Sequence, residues 1–159
     1  MSSAPPPRST PRQALSASEV GLYVAHTGTA KGRGVYAARA YAAGEVVELA
    51  PVILFDGKFN AIPSEVRELL FNWSALAGVP VAHGLALGYG SLYNHDNPAN
   101  LRYEADAASR VLRFIAARDV AVGEELTINY NDARGVHTEE GDTWFAKHGI
   151  EAITNADGA

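Results

Sequence analysis

The 159-residue chain contains no cysteine. That excludes a disulfide framework and any thiolate zinc site within it. It also lacks an apolar run of roughly 18 residues, the length a membrane-spanning helix needs. Charge is sparse, with charged residues at 19%, and basic residues are outnumbered. Thirteen Lys and Arg stand against 18 Asp and Glu, for a net charge of −5 and a pI near 5.5. A nucleic-acid binder normally shows a basic face, so direct nucleic-acid binding is not expected, while a basic substrate is compatible. His26, His83, His137 and His148 share no ligand spacing, and adjacent His95 and Asp96 would diverge on a strand, so no metal site is expected. Residues 1–12, with Pro5, Pro6, Pro7, Arg8 and Arg12, have no apolar stretch of the kind a secretory signal carries. A cytoplasmic protein is the simplest expectation.

What is present is enough for one domain. Hydrophobic residues make up 47% of the chain, which supports a buried core. Residues 1–18 are rich in Pro, Ser and Ala and read as a flexible tail. The domain is expected over residues 19–150, with 151–159 as a second flexible tail. Strands are expected at 20–24, 35–38, 46–55, 101–103, 111–116 and 126–130, with Pro51 marking a break or an edge. Asp106-Ala107-Ala108-Ser109 reads as a hairpin loop. One main helix is expected over residues 63–73. Val66, Leu69, Leu70 and Trp73 recur at i, i+3, i+4 and i+7, and Pro63 suits a first turn. A short last helix is expected over 142–148, capped by Gly149. The pattern implies a mostly-β α+β domain.

Three segments carry the functional signal. Lys31-Gly32-Arg33-Gly34-Val35-Tyr36 is a glycine-rich loop entering a strand. Without Cβ atoms its backbone can approach a ligand closely; alone it also reads as an ordinary turn. Gly88-Tyr89-Gly90-Ser91-Leu92-Tyr93-Asn94-His95-Asp96-Asn97-Pro98-Ala99-Asn100 is a turn-forming run. In it Asn94 offers an acceptor and two donors in one plane. Gly123-Glu124-Glu125-Leu126-Thr127-Ile128-Asn129-Tyr130 leads from a turn into a strand ending in tyrosine.

Together, in this order and spacing, the three segments resemble the SET-domain family of protein-lysine methyltransferases, over about residues 20–150. The resemblance implies a SET-type β-clip fold of short strands with a C-terminal pseudoknot. It implies S-adenosylmethionine as cofactor and a lysine-bearing protein as substrate. It places Gly32, Arg33, Gly34, Asn94 and His95 against the cofactor. Tyr130 becomes the catalytic tyrosine, orienting the substrate amine and the methyl. Tyr103, nine residues past Asn94, matches a lysine-channel tyrosine of some members and reads equally as a hairpin residue. The usual Asn-His-Ser-Cys-x-Pro-Asn pattern is altered, with Asp96 and Asn97 in place of Ser and Cys and Pro98 one place early. Leu69 stands where several short relatives carry tyrosine, which bears on channel width and methyl number. Having no cysteine, the chain cannot close its cofactor site with a cysteine-zinc module. Trp144 and Phe145 could cover the adenine instead, as in minimal single-domain members; a helix anchored to the core by Trp144 is the other reading. A non-catalytic SET-like binding module is the alternative function, and homodimerisation stays open.

Overall fold

The computed structural model describes residues 20–80, 83–133 and 145–146. Strand β1 (Leu22–His26) pairs antiparallel with β2 (Arg33–Ala37). β3 (Val46–Phe55) is the longest strand. A 3₁₀ turn (Phe59–Ala61), helix α1 (Ser64–Arg67), strand β4 (Leu70–Asn72) and helix α2 (Trp73–Ala77) follow. Then come β5 (His83–Ala86), β6 (Asn94–His95), β7 (Leu101–Asp106), β8 (Val111–Ala116) and β9 (Glu125–Ile128).

Hydrogen bonding joins the strands in the order β1-β2-β9-β7-β8-β3-β5-β4, and β6 attaches to β9. The pairings are antiparallel except at β9, which runs parallel to both β6 and β7. Pro51 ends no strand. It marks the point where β3 changes partner: residues up to Pro51 pair with β8, and Val52 onward pairs with β5. A proline has no N–H to donate, so a change of neighbour is a place where it is tolerated. The 106–109 loop forms as expected, with Asp106 Oδ1 accepting from the amides of Ala108 and Ser109.

The expected helix over 63–73 is the main correction. Only Ser64–Arg67 is helical there; Leu70–Asn72 is a strand on β5, and a second helix begins at Trp73. Asn72 explains the restart. Its Oδ1 accepts from Ala75 N at 3.2 Å and caps α2, an alternative that a continuous helix would forgo. The apolar residues also serve different neighbours. Leu69 stays exposed, Phe71 packs edge-on to Tyr103 and Phe114, and Trp73 is buried. The expected last helix falls outside the described residues apart from Phe145 and Ala146.

The core lies where β2, β7, β8 and β9 meet. Val35, Leu101, Leu112, Phe114 and Leu126 are fully buried, flanked by Trp73 and Tyr93.

Candidate active site

β9 gathers the sequence motifs. β6 lies along it with Asn94 opposite Thr127 and His95 opposite Ile128, and β2 takes its other edge through Val35 and Leu126. Beyond Ile128 the chain turns, and Asn129 Oδ1 accepts from Asn131 N and Asp132 N. This turn sets Tyr130 beside His95. Tyr130 N donates to His95 Nδ1 at 3.1 Å.

Three rings cluster at that point. His95 is buried, 5.3 Å from the Tyr130 ring and 4.7 Å from the Phe145 ring. Tyr130 and Phe145 stack at 5.9 Å with a 7° interplanar angle. The glycine-rich loop closes on the same place. Lys31 Nζ donates to His95 O at 3.1 Å. Asn94 Nδ2 donates to Arg33 O at 3.0 Å and to Glu125 Oε1 at 2.8 Å.

The tyrosine hydroxyls point to backbone carbonyls. Tyr130 OH donates to Tyr93 O at 3.0 Å, and Tyr103 OH donates to Asn129 O at 3.3 Å. Burial pushes both phenols up to about 12; Glu125 adds to the shift at Tyr130, and Asp132 then Tyr130 add to it at Tyr103. Both are therefore neutral across the physiological range. They border a cavity of about 740 Å³, which Tyr93, Ile128 and, from the α1–β4–α2 segment, Leu69, Phe71 and Leu76 also line.

Gly32, Arg33, Gly34, Asn94, His95, Tyr130 and Phe145 thus converge, and Tyr103 joins on the cavity side. Trp144 lies outside the described residues. Two further residues of the quoted segments have roles that the sequence does not show: Glu125, which holds the Asn94 amide, and Tyr93, whose carbonyl receives the Tyr130 hydroxyl. A third, outside those segments, is Glu48, which accepts from the Tyr93 hydroxyl. A carboxylate between Val47 and Leu49 in an otherwise apolar strand was the available signal. Among the described residues no group of three or more His, Asp or Glu could hold a metal ion.

The groups present fit a sulfonium amino-acid cofactor. Gly32 has φ +76°, and a Cβ there would meet nothing within 4 Å, so no side chain of the described residues crowds the loop at that point. With Nδ2 committed, Asn94 offers its Oδ1, an acceptor suited to an ammonium. Phe145 packs its ring against His95 on the neighbouring position of β6, a flat surface next to the Asn94 strand.

The SET domain family model matches residues 32–131. A Schizosaccharomyces pombe histone-lysine N-methyltransferase, specific for H3 lysine-37, is 31% identical over 109 residues, covering 64% of this chain and 68% of that protein. A solved structure of a Plasmodium falciparum protein described as a candidate histone methyltransferase superposes with a TM-score of 0.56 at 22% identity, over 69% of this chain and 92% of that one. That second likeness is one of fold. With the motifs converging on β9 as described, the chain belongs to the SET-domain family of protein-lysine methyltransferases.

Proposed function

We propose that this lysine methyltransferase takes its methyl group from S-adenosylmethionine, held by Gly32, Arg33, Gly34, Asn94, His95 and Phe145, and that Tyr130 and Tyr103 receive the substrate lysine from the cavity side. When bound, S-adenosylmethionine supplies an electrophilic methyl on a sulfonium whose departure leaves a neutral thioether. The observation that carries the reading is the position of Tyr130. It stands between the Asn94–His95 strand and the cavity and touches both.

The chain's own task is alignment. A lysine amine must be neutral to attack, and at pH 7 removing its proton costs about 4.6 kcal/mol from a pKa near 10.4. An apolar cavity wall of Leu69, Phe71 and Leu76 lowers that cost by disfavouring the charged form. Neither tyrosine is a base at neutral pH, because both phenols are held at about 12. Each has its proton directed to a carbonyl, so toward the amine its oxygen acts as an acceptor. Accepting amine N–H bonds turns the nitrogen lone pair toward the cofactor side. The gain is one of orientation and water exclusion rather than acid catalysis.

Two variants test this. Asn94→Ala should weaken S-adenosylhomocysteine binding by roughly 1.5–3 kcal/mol in calorimetry, the loss expected for hydrogen bonds to a charged group. Tyr130→Phe should keep that binding and slow single-turnover methylation by roughly 10²–10³. The S. pombe relative is named for a lysine in histone H3, so core histones are the first acceptor to try, followed by proteins of a lysate. No binding of either adenosyl ligand to the wild type would sink the cofactor assignment. A wild-type rate in Tyr130→Phe would reduce Tyr130 to packing. Binding without turnover on any acceptor would favour the non-catalytic module.

A further inference from the structure

Glu48 is the acidic residue inside β3, half-buried between apolar neighbours. Both of its oxygens are engaged. Oε1 accepts from Tyr89 N at 2.8 Å, and Oε2 accepts from Tyr93 OH at 2.8 Å. Burial pushes this carboxyl up, and the two hydrogen bonds pull it back. The turn before β6 is folded around it. Gly88 has φ +69°, and a Cβ there would collide with Glu48 Oε1.

An apolar residue at position 48 would pack without the desolvation cost that a carboxylate carries. Packing within β3 therefore does not account for a carboxylate at this position; the Tyr89 amide and the Tyr93 hydroxyl that it accepts from do. Tyr93 is 2% exposed, with its ring 4.8 Å from Phe114. It sits between the 88–92 turn and β6, directly before Asn94. Its side chain goes to Glu48, while its carbonyl accepts the Tyr130 hydroxyl. One residue thus ties the half-buried carboxylate on β3 to the hydroxyl at the cavity.

We propose that Glu48 is a positioning residue for methyl transfer: by gripping Tyr89 N and the Tyr93 hydroxyl it fixes the Tyr93 carbonyl that directs the Tyr130 hydroxyl. It touches no reacting atom and acts through Tyr93. The proposal rests on reading Tyr130 as the active-centre tyrosine.

The test uses the full chain labelled with tyrosine carrying a ζ-carbon NMR label. S-Adenosylhomocysteine is the binding probe, and core histones with labelled S-adenosylmethionine are the activity assay. The Tyr130 resonance is identified by its loss in Tyr130→Phe. Tyr93→Phe keeps the ring and the carbonyl; Glu48→Gln keeps the shape and the acceptor for Tyr89 N, but it removes the charge and puts an NH₂ donor where the Tyr93 hydroxyl donates. Each should move the Tyr130 ζ-carbon resonance and leave S-adenosylhomocysteine affinity unchanged. Each should slow transfer by between roughly ten- and a hundred-fold, the scale of a small misplacement of a reacting group. In a Tyr130→Phe background neither should slow transfer further. An unmoved resonance in both variants overturns the proposal, with or without a responsive acceptor. Equal slowing in the Tyr130→Phe background also overturns it, because the defect would then be one of packing. Should Tyr93→Phe fail to fold, Glu48→Gln carries the same comparison. A wild-type rate in Tyr130→Phe brings down the reading of the active centre and this proposal together. A slow Tyr130→Phe beside wild-type rates for Glu48→Gln and Tyr93→Phe removes the Glu48 role alone.

Discussion

At Gly34 a Cβ would lie 2.5 Å from Glu125 Oε1 and 3.0 Å from Thr27 Cγ2. Glycine is there because a carboxylate passes over the strand at that point, and the same carboxylate holds the Asn94 amide. Gly34→Ala should push Glu125 away, release Asn94 and weaken both fold and S-adenosylhomocysteine binding, each by roughly 1–3 kcal/mol. Gly57→Ala is the control. Nothing lies within 4 Å of a Cβ there, so it should stay within about 0.5 kcal/mol of wild type. Melts and calorimetry on both proteins decide it; a Gly34→Ala protein that binds like wild type would mean Glu125 does not govern Asn94. At this scale much of the site could be read from the chain. Gly34, Asn94, His95 and Tyr130 stand out as residue types whose chemistry suits a ligand. Their partners could not be read, because Glu125, Tyr93 and Glu48 act through contacts across 31 to 45 positions of sequence.

One element depends on a single side chain. Asn100 is 3% exposed, and its Oδ1 accepts from Thr127 N at 2.8 Å while its Nδ2 donates to Glu125 O at 2.7 Å. It also donates to Glu124 Oε1 at 3.1 Å, and its own carbonyl accepts from Ala117 N at 2.9 Å. It therefore clasps the start of β9 to the segment that follows β6. Asn100→Ala strips the Thr127 amide and the Glu125 carbonyl of that partner in the interior. Each orphaned group costs about 1–3 kcal/mol, so a loss of roughly 2–4 kcal/mol is expected in denaturant unfolding. Asn100→Asp keeps the acceptor but sets a carboxylate against Glu124 and the Glu125 carbonyl, so it should not rescue. Rescue by Asp, or an Ala variant of wild-type stability, would show that the clasp is dispensable. Strands that are runs of β-branched and apolar residues between turn signals, such as β3 and β8, are legible from sequence with their bounds intact. The 63–73 segment was not, because a helical spacing of Val66, Leu69, Leu70 and Trp73 is equally produced by a turn, a strand and a new helix. Asn72 decided between them through a cap that periodicity does not register.

For the whole molecule, pH acts on rate and stability in different windows. Transfer should speed up from neutral pH toward about 10, as more of the substrate lysine loses its proton. The site tyrosines add no inflection there, since both are held at about 12. Stability responds above that range. Tyr103 and Tyr130 have folded values raised from 10.0 to about 12, and burial is the first cause in each. Between those two values the unfolded chain ionises these phenols while the folded protein keeps them neutral. The unfolded state then binds fewer protons, so unfolding becomes easier as pH rises. The stabilisation is whole below pH 10 and lost through 12, at roughly 2–3 kcal/mol for each tyrosine. Tyr93 is shifted in the same direction by burial and by Glu48, and it steepens the fall. Thermal melts at pH 8, 9.5 and 11 should show Tm changing little between the first two and dropping at the third. Tyr103→Phe removes one of the groups, so its Tm should fall less over the same step, although it starts lower for want of the bond to Asn129 O. If wild type and Tyr103→Phe lose the same stability between 9.5 and 11, the buried phenols do not set the alkaline limit, and the closed, neutral environment inferred around them is wrong.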